Sequence, residues 1–202
     1  MTFVVLEGGE GSGKSTQVAR LVERLRAEGR EVVATFEPGD TPTGRRIRET
    51  LLHGDDALAP TAELLLMLAD RAQHVVEVIR PALVRGAVVV CDRFSPSTIA
   101  YQGVARGLGV AEAEWWCEFA TGGLVPDAVL VLDVPDAVAE ARVGRECDRM
   151  ERAGSDFHAR VRAAYRDLAP PRGWIVVDGD GSPEEVAVRV RAALGAVLPT
   201  GS

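Results

Sequence analysis

Phe3-Val4-Val5-Leu6-Glu7-Gly8-Gly9-Glu10-Gly11-Ser12-Gly13-Lys14-Ser15-Thr16 is the stretch on which the reading of the fold turns. An apolar run, Phe3–Leu6, leads into the pattern G-x-x-x-x-G-K-[ST] at Gly8–Ser15. Beyond it Val18, Leu21, Val22 and Leu25 recur at helical spacing until Gly29 supplies a stop. Strand, glycine-rich turn and helix together are the context a triphosphate cradle requires. Its glycines let backbone N–H groups converge on phosphate oxygens without Cβ clashes, and the helix N-terminus adds partial positive charge. Lys14 then reaches the β- and γ-phosphates and the Ser15 hydroxyl can ligate Mg²⁺, while Gly8, Gly9, Glu10, Gly11, Ser12, Gly13 and Thr16 complete the ATP cradle. Among 23 Lys and Arg residues Lys14 is the single lysine, which fits a position needing a small ammonium rather than a guanidinium. The motif specifies a nucleoside triphosphate site and leaves the reaction open.

Outward from this point, Val32–Phe36, Ala87–Cys91, Ala128–Leu132 and Trp174–Val177 are short runs rich in Val and Leu, the signature of strands buried on both faces. Helical patterns alternate with them at Lys14–Glu28, Thr61–Arg80, Ala111–Thr121, Asp136–Arg145, Asp156–Leu168 and Pro183–Leu198. Pro60 opens the second of these near its first turn, and Pro81 is expected to disturb it. The alternation predicts an α/β chain with a three-layer P-loop NTPase fold, a five-stranded parallel sheet flanked by helices and joined by right-handed crossovers. Residues 1–198 read as one domain and Pro199–Ser202 as a loose tail.

The bulk numbers narrow the class. With 202 residues, 47% hydrophobic and 26% charged, the chain reads as an ordinary globular domain with a self-sufficient core. A net charge of −7 argues against a general nucleic-acid binder but not against a local anion site built from clustered arginines. Cys91, Cys117 and Cys147 are far apart and in no metal-ligand spacing, so they read as buried thiols of a reduced, cytoplasmic chain. No basic segment precedes the first apolar run, so neither a leader nor a membrane span is expected.

The third run ends in Asp92-Arg93. A carboxylate at a strand end beside the phosphate loop can hold Mg²⁺ or its water, and the adjacent arginine can bind an acceptor phosphate bidentately. Alone, the pair would equally suit a surface ion pair. Other segments add weight: Glu37-Pro38-Gly39-Asp40-Thr41, Asp92-Arg93-Phe94, Ser97-Thr98-Ile99-Ala100-Tyr101-Gln102-Gly103 and Asp148-Arg149-Met150-Glu151. With Gly8–Thr16 they make the chain resemble the bacterial type of thymidylate kinase, the ATP-dependent dTMP kinases among the nucleoside monophosphate kinases, across nearly its full length.

The resemblance implies conversion of dTMP and ATP to dTDP and ADP with Mg²⁺, on small nucleotide substrates and in a homodimer. It implies that Ser15, Glu37 and Asp92 lie near the metal and that Arg48 and Arg93 hold the acceptor phosphate, with Ser97 nearby. Arg71 corresponds to the arginine that bonds the thymine carbonyl, Thr98 and Gln102 to readers of the base edge, and Tyr101 to the aromatic beneath deoxyribose. Taken alone, Arg71 reads as a helix-surface charge and Tyr101 as a half-buried tyrosine. Residues 142–155 resemble a short lid whose Arg145 and Arg149 stabilise the transferring phosphoryl group, with Arg142 on the adenine side. The interleaved Glu146, Asp148 and Glu151 also suit a solvated charged helix.

Two departures stand out. Met67 occupies the position where the family usually stacks a phenylalanine on thymine, and Asp40 stands where a second glycine is common. Met67 keeps open a kinase for another pyrimidine monophosphate, such as dUMP or a C5-modified analogue. A regulatory P-loop NTPase would need only the loop and a metal carboxylate, not Arg71, Tyr101 and Gln102.

Overall fold

The apolar runs form strands β1 (Thr2–Glu7), β2 (Val32–Phe36), β3 (Val88–Asp92), β4 (Ala128–Asp133) and β5 (Ile175–Asp178) in a computed structural model that describes residues 2–54, 57–142 and 149–198. All pairs are parallel, in the order β2-β3-β1-β4-β5. Successive side chains alternate between two cores. Phe3, Val5, Val89, Cys91, Val129 and Val131 face one, while Val4, Leu6, Val88, Val90, Leu130 and Leu132 face the other. That is why these strands read as unbroken apolar runs rather than as alternating patterns.

The helices are α1 (Lys14–Ala27), α2 (Pro42–Arg48), α3 (Pro60–His74), α4 (Arg80–Val84), α5 (Ser95–Thr98), α6 (Val110–Thr121), α7 (Asp136–Arg142), α8 (Ser155–Arg172) and α9 (Pro183–Ala193). On one face Leu21, Val22 and Leu25 of α1 meet Val186 and Val190 of α9 over the sheet. The other face is covered by α8 together with the segments around α3 to α5. Each fully buried aliphatic side chain here contributes about 1.5–3 kcal/mol before chain entropy is counted.

The strands fall where the sequence predicts, with ends shifted by one residue; the helices differ more. The helix expected to be disturbed at Pro81 runs on, because α3 passes through a wide π-type turn, Val75–Ile79, into α4. Pro81 directly follows the wide turn, so its missing N–H falls at that junction rather than inside a regular α-helix. Two segments were not expected: α2 with its wide continuation Glu49–His53, and α5 with its continuation Ile99–Ala105. Helix α8 extends past Leu168 to Arg172, with Pro170 and Pro171 in its last turn. Residues 143–148 of the expected lid, Arg145 among them, and the tail 199–202 lie outside the described residues. Among the described residues, no helix is long and apolar enough to cross a membrane.

Strand register then assembles the site. Leu6 and Phe36 both lie opposite Asp92, so β1, β2 and β3 end side by side. The Arg93 N–H donates to the Leu6 carbonyl and the Glu37 N–H to the Asp92 carbonyl, both at 3.0 Å. The crevice outside the carboxyl ends of central parallel strands is where open α/β sheets bind ligands.

Candidate active site

The glycine-rich turn wraps tightly around the end of β1. A Cβ on Gly8 would lie 2.4 Å from the Leu132 carbonyl oxygen, and Gly13, with φ 88°, is the N-cap of α1. Lys14 is buried, and its Nζ donates to the carbonyls of Gly8 (3.1 Å) and Gly9 (2.9 Å) and to Ser12 Oγ (3.4 Å). Burial, helped by the nearby Arg93 charge, brings the Lys14 pKa down to about 8. An anionic ligand in the loop would oppose both effects by favouring the charged ammonium.

Ser15 Oγ donates to Asp92 Oδ2 at 2.8 Å. This hydroxyl and carboxylate at the loop's mouth form a hard-oxygen pair suited to Mg²⁺. Among the described residues, no group of three or more His, Cys, Asp or Glu could hold a metal ion, so the remaining ligands would come from nucleotide phosphates and water. Glu37, expected beside Asp92 as a second metal-side carboxylate, is held here by Arg71 and His74. Its Oε2 accepts from Arg71 Nε and its Oε1 meets His74 Nδ1, both at 2.8 Å, with the carboxylate 3% exposed. Its geometry makes it the counter-ion of Arg71.

Arg93 has φ 72°, an unusual conformation for a residue with a Cβ. Hydrogen bonds on either side hold it: Cys91 Sγ donates to the Arg93 carbonyl (3.0 Å), and the Phe94 N–H donates to Glu7 Oε1 (2.8 Å). The Arg93 guanidinium donates through Nη1 to the Gly8 carbonyl and Ser97 Oγ, both at 3.1 Å, and through Nη2 to Glu10 Oε1 at 2.7 Å. It also lies 5.1 Å from the Tyr101 ring centroid. Burial alone would raise the Glu10 pKa, but Arg93 and Lys14 outweigh it and hold the carboxyl at about 2. The loop acid is therefore an ionised partner of Arg93, and the Tyr101 hydroxyl also donates to it, at 3.2 Å.

A cavity of about 570 Å³ opens between these groups and α3, bordered by Lys14, Arg93, Met67, Arg71, Tyr101 and Gln102 among others. Its size suits a small organic ligand. Arg71, only 2% exposed, donates to Glu37 through Nε, to Thr98 Oγ1 (2.9 Å) and Cys117 Sγ (3.3 Å) through Nη1, and to the Phe94 carbonyl (3.0 Å) through Nη2. Gln102 Nε2 donates to Glu63 Oε1 at 2.9 Å. Arg48 Nη1 donates to the Pro38 carbonyl at 2.7 Å and lies over Phe36, beside the cavity.

The lid residues are split. Arg142 Nη1 donates to the Gly179 carbonyl at 3.1 Å, on the loop after β5. Arg149, expected on the transferring phosphoryl group, is held here against Leu51 and against Glu63 of α3. Its Nε donates to the Leu51 carbonyl (2.7 Å) and its Nη2 to Glu63 Oε2 (3.0 Å).

Three acids and a histidine of this framework escaped the sequence reading as site residues. Glu7 is fully buried and accepts from Phe94 N–H, Ser97 N–H, Ser97 Oγ and Tyr165 Oη. Glu63, Asp70 and His74 line the inner side of α3. A carboxylate closing the buried strand β1 was a readable signal, as was the spacing that places Glu63, Asp70, Arg71 and His74 on adjoining turns.

A phosphate loop carrying its only lysine, joined by one cavity to a second set of arginines, defines the class: a P-loop nucleotide kinase. The thymidylate kinase family model matches residues 6–190, and the chain belongs to that family. It is 50% identical over 199 residues to a thymidylate kinase of Synechococcus sp. (strain JA-2-3B'a(2-13)), covering 98% of this chain and 96% of that one. A Leifsonia xyli subsp. xyli thymidylate kinase is 48% identical over 196 residues (95% and 93% covered), and one from Pseudomonas fluorescens is 49% identical over 203 residues (98% and 95%).

Proposed function

We propose that the chain transfers the γ-phosphoryl group of ATP to dTMP, giving dTDP and ADP. The observation that carries this reading is the single cavity running from Lys14 and Arg93 to Arg71 and Gln102, which gives donor phosphates and an acceptor base one continuous site. Lys14 and the loop amides hold the donor β- and γ-phosphates. Ser15 and Asp92 would hold Mg²⁺, which when bound would neutralise charge on the phosphates and orient them. Arg93 and Arg48 orient the acceptor phosphate, with Ser97 supporting Arg93. Arg71, Thr98 and Gln102 read the base edge, Met67 packs on its face, and Tyr101 lies beneath the sugar. An acceptor phosphate oxygen, already ionised near neutral pH, attacks the γ-phosphorus while the bond to ADP breaks, so no general base is required.

ADP formation from MgATP, measured with dTMP, dUMP, UMP, dCMP, AMP and GMP offered separately, tests the reading. Turnover highest with dTMP is expected. A rate indifferent to every monophosphate would refute it.

Homodimer formation is part of the proposal. Trp115 (57% exposed) and Phe119 (72% exposed) stack on the outer face of α6, and Leu65 is exposed on the adjoining α3. Exposed apolar side chains on two packed helices support pairing with a second copy. Sedimentation of the chain and of Phe119→Glu tests it, with a dimer expected for the first and a monomer for the second. The use of ATP and a free nucleotide, both cytoplasmic metabolites, supports a cytoplasmic location.

A further inference from the structure

A guanidinium has five N–H groups. Arg71 commits four of them: Nε to Glu37, both on Nη1 to Thr98 and Cys117, and one on Nη2 to Phe94. One Nη2–H remains for a ligand in the cavity that Arg71 borders. The aim of this donor therefore depends on how firmly Glu37 is held.

Glu37 is held from behind by groups absent from the functional assignments above. Its Oε1 meets Nδ1 of His74, which is fully buried. His74 Nε2 lies 2.5 Å from Thr35 Oγ1 on β2, and Thr35 Oγ1 donates to Asp40 Oδ2 at 2.5 Å. The Thr35 hydroxyl has one proton, which it gives to the Asp40 carboxylate, so toward His74 it presents a lone pair. Both imidazole nitrogens thus face accepting oxygens, and the ring is fixed between β2 and Glu37. Asp40 is itself seated on a tethered loop, since the preceding Gly39 N–H donates to Asp70 Oδ1 at 3.0 Å.

We propose that Asp40, Thr35 and His74 form a positioning chain that sets Glu37, and through it the free Nη2–H of Arg71, for recognition of the acceptor base. This rests on the reading of Arg71 as the base-carbonyl donor. Asp40 gives it particular interest, because the family resemblance places a glycine there and a glycine would leave the Thr35 hydroxyl without its anchor. A recognition group displaced by a fraction of an ångström loses its preorganisation. The expected cost is therefore in acceptor binding and base choice rather than in donor binding.

The test measures acceptor KM, ATP KM, kcat and the ratio of kcat/KM for dTMP over dCMP in Thr35→Val, Thr35→Ser, Asp40→Gly and Arg71→Lys. Thymine offers a carbonyl where cytosine carries an amino group, so the ratio reports the Arg71 donor. Thr35→Val keeps the shape and removes the hydroxyl. It should raise acceptor KM by roughly three- to tenfold, a change of the size one buried hydrogen bond is worth, and lower the ratio while leaving ATP KM unchanged. Asp40→Gly should do the same more weakly, and Thr35→Ser should restore the parent values. Unchanged acceptor KM in Thr35→Val, with a raised value in Arg71→Lys, would overturn the positioning chain alone. Acceptor and ATP KM rising together with a lower melting temperature would overturn it in favour of a purely structural role. Unchanged acceptor KM in Arg71→Lys would overturn the base reading and the positioning chain with it.

Discussion

Glu63→Gln is the substitution that best tests the acid framework behind the acceptor pocket. Glu63 is 1% exposed, and its two oxygens accept four donors: Gln102 Nε2 (2.9 Å) and Arg106 Nε (3.2 Å) on Oε1, Arg106 Nη2 (3.1 Å) and Arg149 Nη2 (3.0 Å) on Oε2. Four donors fill the capacity of a carboxylate. Glutamine keeps the size but converts one acceptor into an NH₂, which faces two donors and cannot pair with either. It also removes the counter-charge of two arginines. Breaking a buried ion pair costs about 3–5 kcal/mol. Arg106 and Arg149 are 25% and 16% exposed and can partly regain water, so the low end applies. About 3 kcal/mol in a domain of this size lowers the melting temperature by roughly 6–12 °C. Calorimetry reads that loss, and kinetics should show acceptor KM rising with ATP KM unchanged, because Gln102 and Arg149 are both set by Glu63. Arg149→Ala should show the same split. A melting temperature within about 2 °C of the parent, or parallel rises in both KM values, would refute the reasoning.

Three further outcomes follow from the same framework. Burial and then Arg93 depress the Lys14 pKa from 10.5 to about 8, so between those values the unfolded chain holds a proton that the folded chain lacks and stability rises with pH. ATP phosphates restore the proton, so MgATP binding at pH about 9 should take up a proton; calorimetry in two buffers of different ionisation enthalpy checks this, and zero uptake contradicts it. Burial and then Glu37 raise the Asp70 pKa from 3.8 to about 6, so stability falls as pH rises through that window and the loss persists above it. Asp70→Asn keeps an acceptor for the Gly39 N–H, and its melting temperature relative to the parent should be higher at pH 8 than at pH 5, with up to about 3 kcal/mol at stake. Met67 borders the cavity, and Met67→Phe should lower acceptor KM for dTMP if a planar ring improves the stack; isothermal titration with dTMP shows the change directly, and unchanged affinity removes Met67 from base recognition.

The strands and the phosphate loop were legible because their causes are local. A run such as Val88-Val89-Val90-Cys91 has one stable place in a two-faced core, and the loop's glycines answer to backbone geometry at fixed spacing. Helices α2 and α5 were not legible, since Pro42–Arg48 is arginine-rich and Ser95–Thr98 is only one turn long. Neither presents a sustained apolar stripe. The acid partners stayed hidden for a different reason. Arg71 finds Glu37 at a separation of 34 residues, and Arg149 finds Glu63 at 86. Such pairings are fixed by strand register and helix docking, which no local spacing encodes. Glu37 shows the consequence: its place beside Asp92 follows from the β2–β3 register, but its carboxylate is turned to Arg71 and His74 of α3.

Three arginines of the site come paired with carboxylates, and this bears on the proposed selectivity. Arg93 has Glu10, Arg71 has Glu37, and Arg149 shares Glu63 with Arg106. In a chain of net charge −7, unpaired buried arginines would be costly, and they would also attract any small anion. Pairing removes both problems but requires a ligand to outcompete an ionised carboxylate. At Arg93 a dianionic phosphate can do so, since it brings more charge than Glu10 and can bind the guanidinium bidentately. At Arg71 no exchange is needed, because one Nη2–H is left over after Glu37 is satisfied. On the proposed reading, the phosphate end would supply affinity by displacement, and the base end discrimination through a donor whose direction is fixed before the ligand arrives.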